Sequence, residues 1–108
     1  MPRPKNCRRV SGRPPATYFK PRGVPMSLLE ESVLSVEGLE AIRLADLEGL
    51  TGAQAAELMH ISRHTFGRVL QEARRAVAEA LVNGRALRIE GGVYSYGLDG
   101  ESADTLPE

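Results

Sequence analysis

Four polar side chains fall together on one side of a predicted helix and suit a nucleic-acid surface. A helix over residues 63–82 can be laid out at about 100° per residue with Phe66 at zero. Gln71 then lies near about 140°, His64 near 160°, Arg75 near 180° and Arg68 near 200°, while Gly67 lies near 100°. Arg can donate two hydrogen bonds to guanine in the major groove, and Gln can engage adenine in the same way. Gly67 would let the helix approach a wall closely. Ser62 and Arg63, at the helix start, suit a phosphate oxygen. Most Arg-rich helix faces are simply solvated, so the elements that position this face carry the inference.

Opposite the polar face, Phe66, Val69, Leu70, Ala73, Val77, Ala80 and Leu81 fall within an arc of about 120°, the width of a buried stripe. Ser62 can cap the helix, and Asn83-Gly84 ends it. A shorter helix precedes it. Thr51 and Gln54 have capping-box spacing, and the helix runs to about Met59. Ala56 is the small residue needed where the two helices cross. His60 and Ile61 form a tight turn, with position 60 in a positive-φ conformation that Gly adopts more easily than His. Ile61 plugs the core beneath. This pattern predicts a helix-turn-helix at about Thr51–Val82, with the N-terminal half of its second helix in the DNA major groove.

Upstream, Ser35 is expected to cap a helix carrying Leu39, Ile42 and Leu47 inward, weakened by Gly38 and stopped by Gly49. Ser27 and Glu30 fit a short capping box. Downstream, Leu87–Ile89 and Val93–Tyr96 have strand composition around a Gly91-Gly92 turn. Six of the seven prolines lie in residues 1–25, where helix is excluded and extended chain expected. The predicted fold is mainly α: a three-helix helix-turn-helix domain with an extended basic N-terminal arm and a short C-terminal β-hairpin. Its parts are a basic proline-rich arm over 1–25, the helix-turn-helix domain over 26–92 and a disordered acidic tail over 93–108.

Net charge is zero, yet charge is segregated. Residues 1–25 hold seven Lys/Arg and no acid, 26–60 hold seven acids and one base, 61–92 hold six Arg and three Glu, and 93–108 hold four acids. A neutral total therefore still allows a strongly positive face. The arm residues Arg3, Lys5, Arg8, Arg9 and Arg13 are expected to track phosphates or enter the minor groove. Cys7 is the single cysteine and cannot form an internal disulfide. No apolar run reaches membrane-span length, and a cytoplasmic protein is expected. Catalysis, cofactor and metal binding are not expected. His60 and His64 are four apart, but the turn between them takes them off a common face, and Ser62 reads as a cap rather than a nucleophile.

The segments MPRPKNCRRV, YFKPRGVP, LEAIRLADLEGL and AAELMHISRHTFGRVLQEARRAVAEALVNGRALRIEGG carry a resemblance over about residues 1–92. The chain resembles a small prokaryotic family of predicted DNA-binding proteins whose helix-turn-helix is similar to region four of bacterial sigma factors. The resemblance implies that fold and a DNA-binding role, with Arg63, His64, Gly67, Arg68 and Gln71 facing DNA. The chain departs from it at His60, where relatives usually have Gly, and at Ser11, where they often have a second Cys.

The partner expected is double-stranded DNA, with RNA polymerase as a further candidate. One such helix covers few base pairs, so a two-fold homodimer is plausible, with Val77, Ala80 and Leu81 as candidate contacts. The serious alternative is a protein-interaction module acting on the transcription machinery without reading DNA, using the acidic block around residues 39–57. RNA binding ranks below both, since the polar helix face has no aromatic platform.

Overall fold

The computed structural model describes residues 7–96. Helices α1 (Val36–Ile42), α2 (Gly52–Met59) and α3 (Arg63–Asn83) follow one another in the middle of the chain. Strands flank them: β1 (Arg8–Arg9), β2 (Tyr18–Phe19) and β3 (Glu31–Leu34) before, β4 (Ala86–Ile89) and β5 (Tyr94–Ser95) after. The domain is therefore mixed α/β, not the mainly α fold expected.

The strands form two sheets, β2-β4-β3 and β1-β5. β4 is central, antiparallel to β2 and parallel to β3, so the three helices form the crossover between two parallel strands. β1 and β5 are parallel, pairing Arg8 with Tyr94 and Arg9 with Ser95. The expected C-terminal hairpin is absent, because β4 and β5 lie in different sheets. Gly91 and Gly92 do turn the chain with positive φ, at 75° and 111°, but they turn it toward α1. There Gly91 O accepts from Val36 N at 3.0 Å, and Val93 N donates to the Glu37 carboxylate at 3.0 Å.

The proline-rich arm is also not free over its described part. Proline excludes helix but permits short edge strands. Val10 is 1% exposed and belongs to a core layer with Leu34, Val36, Ala73 and Ile89. Within β3, Ser32 and Leu34 are buried while Glu31 and Val33 are exposed, the alternation of a sheet covered on one face. On the sheet, Arg88 of β4 pairs with Glu31 of β3 through bonds of 2.9 and 2.7 Å. Tyr18 of β2 donates to the same carboxylate at 2.9 Å, and Arg88 lies 5.0 Å from its ring centroid. One ion cluster thus spans all three strands.

A second core layer is local in sequence. Ala41, Leu44, Ala55, Ala56, Met59, Phe66 and Val69 close the three helices together. α1 begins as expected, with Ser35 Oγ accepting from Gly38 N at 3.0 Å. It ends differently. Residues Arg43–Leu47 continue as a π-turn, which rotates the chain so that Leu47 is 79% exposed instead of buried. Nor does Ser27 begin a capped helix: Met26–Leu28 is one 3₁₀ turn without a side-chain cap. No helix among the described residues is long and apolar enough to cross a membrane.

Candidate functional site

The expected reading face is built from the α2–α3 junction. Thr51 Oγ1 accepts from Gln54 N at 3.1 Å, and Gln54 Oε1 accepts from Thr51 N at 2.9 Å, so the capping box is complete. α2 ends at His60, which takes φ 59° and ψ 42° in the left-handed region. Its amide bonds Glu57 O, and Ile61 N bonds Ala56 O, so the strained turn satisfies the last carbonyls of α2. Ala56 is buried at this point and Ile61 packs on the helical core. Ser62 Oγ then accepts from Thr65 N at 3.0 Å and opens α3. Gly84, with φ 67°, closes it.

Burial of Phe66, Val69, Ala73 and Ala80 orients α3. Ser62, Arg63, His64, Gly67, Arg68, Gln71 and Arg75 are consequently all exposed, on or beside one outward face. Arg75 also reaches Glu79 at 3.5 Å, one turn on. Leu81, expected at the edge of the buried stripe, is 78% exposed instead. It lines the rim of an open apolar groove with Phe19, Val77 and Leu87. Ala80 is buried against its own chain and is unavailable to a second copy.

The arginines of this half of the chain fall into two groups. Arg43, Arg74, Arg75, Arg85 and Arg88 each meet a carboxylate within 4.0 Å. The bidentate Arg74–Asp46 pair, at 2.6 and 3.2 Å, holds the Asp46 carboxyl below its ordinary range and raises the guanidinium further. Arg63 and Arg68 have no such partner among the described residues. They are the cations α3 leaves available.

Of the arm residues expected beside them, Arg8 is placed there and is half-buried. It lines a polar groove of about 630 Å³ together with Ser62, Thr65 and Arg68. Arg9, next along the strand, points to the opposite side and lines a small cavity with Glu40, Leu44 and Leu58. Arg3 and Lys5, like the acidic segment from Gly97 onward, lie outside the described residues. Sequence reasoning missed Glu37 and Glu72, which line the same groove. Glu72 was legible from its place beside Arg68 on the helix. Glu37 was not, because only the fold brings α1 to this groove. Among the described residues no group of three His, Cys, Asp or Glu is placed to hold a metal.

Fold and site define a small α/β domain with an outward cationic helix face beside a polar groove. The chain belongs to the family described as "Protein of unknown function DUF134", whose profile matches residues 1–97. It is similar to a UPF0251 protein of Thermoanaerobacter pseudethanolicus, 60% identical over 94 residues that span 87% of this chain and 80% of the relative. A UPF0251 protein of Dehalococcoides mccartyi is 61% identical over 94 residues, with the same coverage of 87% and 80%. One from Pelotomaculum thermopropionicum is 61% identical over 94 residues, covering 87% of this chain and 71% of its own. No solved structure matches the chain.

Proposed function

We propose that the protein binds double-stranded DNA through a helix-turn-helix formed by α2, the turn at His60–Ser62 and α3, and that it acts as a small transcriptional regulator. One observation carries the reading. Among the described residues, every arginine between 26 and 92 is ion-paired except Arg63 and Arg68, and both of these sit exposed on the N-terminal half of α3. Both guanidinium groups are thus placed to meet an external phosphate or base edge. His64 and Gln71 extend the face with groups that read base edges. The likeness to sigma factor region four supports the same placement of α3 in the major groove.

The alternative, a module that docks on the transcription machinery without reading DNA, relied on the acidic block. Its support is reduced because Glu40, Asp46 and Glu48 of that block engage partners within the chain, which leaves Glu57 as its exposed acid without such a partner among the described residues. Selection of binding sites from random duplex DNA separates the two. Enrichment of a defined site is expected, with log affinity falling by about 0.9 per neutralised phosphate for each unit of log salt. Arg68→Ala should cost roughly 1–3 kcal/mol on that site and relax one position of it. No enrichment, together with an affinity insensitive to salt, would favour the alternative.

A further inference from the structure

We propose that Glu37 and Glu40 of α1 are positioning residues of the DNA interface: by clamping the β1–β5 ribbon they set which arm arginine stands beside Arg68. The inference rests on the DNA-binding reading above.

Both residues are 9% exposed, and glutamates are so deeply buried only when their oxygens are satisfied. Glu40 accepts from Ser11 N and Ser11 Oγ, each at 3.2 Å, and from Arg43 Nε and Nη2 at 3.1 and 3.0 Å. Glu37 accepts from Val93 N and lies in tight contact with Gly92, where a Cβ would strike its carboxyl group. The two glutamates are three residues apart and share a helix face. Each takes one strand of the ribbon: Ser11 lies just past β1, and Val93 lies just before β5.

The ribbon has two residues per strand and is too short to persist unaided. Its attachments to α1 therefore decide where it sits. They also decide its register. Arg8 and Arg9 project to opposite faces, so a slip of one residue would exchange them. With Ser11 held on Glu40, Arg8 lines the groove shared with Arg68 and Ser62, while Arg9 is turned toward Leu44 and Leu58. The acidic residues of α1 thus act on the basic arm of their own chain.

The test uses the full chain and the DNA site selected above. In Glu40→Gln, affinity should fall three- to tenfold equally on selected and random DNA. The slope of log affinity against log salt should shrink by about one phosphate equivalent, 0.9. Arg8→Ala should do the same, and the double variant should lose no more than either alone. Amide exchange at Val10, whose N donates to Ser95 O at 2.8 Å, should quicken while that of Ala73 in α3 stays slow. A purely structural glutamate would lower the melting temperature and leave the salt slope unchanged, which overturns the proposal. So do additive losses in the double variant. If Glu40→Gln does not fold, Ser11→Pro removes both Ser11 donors at an exposed position and carries the same expectations. Wild-type protein that binds no DNA refutes both readings, whereas wild-type binding with unaltered variants refutes only this one.

Discussion

Gly67 tests the DNA-facing assignment in a way no arginine can, because it predicts stability and binding to move in opposite directions. It lies inside α3, exposed, and a Cβ built there meets nothing within 4 Å. The fold therefore has no steric use for glycine at this place. Replacing a mid-helix Gly by Ala stabilises by about 0.8–1.0 kcal/mol, since Gly loses more backbone freedom on folding. For a domain of this size that raises the melting temperature by about 3–8 °C. If α3 lies against a groove wall at Gly67, the added methyl must separate the two surfaces. Affinity for the selected site should then fall at least about tenfold, or about 1.4 kcal/mol. Thermal unfolding and fluorescence anisotropy on one preparation of Gly67→Ala supply both numbers. A more stable variant with undiminished affinity would remove Gly67 from the interface. A variant no more stable than wild type would show that the helix-propensity argument fails at this site.

Gly38 should respond in the reverse sense. A Cβ there would lie 3.0 Å from Leu34 Cδ1 and 3.1 Å from Ala73 Cβ, inside the α1–α3 contact, so Gly38→Ala should destabilise by about 1–2 kcal/mol in urea titration despite better helix propensity. A gain in stability would mean that the two helices separate freely. His60→Gly should stabilise by about 0.5–1 kcal/mol, because relief of the left-handed conformation, roughly 1–2 kcal/mol, exceeds the added unfolded-state freedom of glycine; an unchanged urea midpoint would show the turn unstrained. Arg88 and Arg74 hold Glu31 and Asp46 below their ordinary values. A depressed folded-state pKa contributes stability above the unfolded value that is lost as pH falls through the folded one. The contribution of these pairs should therefore be full and independent of pH near neutrality and decline below about pH 4. Glu31→Gln should flatten that acid limb, and an identical limb would deny the pair any role in it.

Local rules made α2 and α3 legible from residue types alone. Thr51 with Gln54, Ser62, His60 and Asn83-Gly84 act within one turn of chain, and each cap and stop occurs where its side chain or backbone preference placed it. The outward orientation of Arg63, His64, Arg68 and Gln71 followed from the apolar stripe, since burying Phe66, Val69 and Ala73 leaves α3 one way to face. β4 and β5 fall where strand composition was read, at Leu87–Ile89 and Val93–Tyr96, but β1 and β2 were not legible, because two-residue runs such as Arg8–Arg9 carry no periodicity. Their partners lie across almost the whole chain, as in Arg8 with Tyr94. Leu47 points outward for a related reason, since the chain leaves α-helical geometry in a π-turn over Arg43–Leu47. Only the tertiary structure decided which charges remain for a partner. It joins Glu40 to Ser11 and Arg74 to Asp46 over long stretches of sequence, and leaves Arg63 and Arg68 exposed and without an ion pair among the described residues. Pairing of this kind depends on distance in space, which residue order does not encode locally.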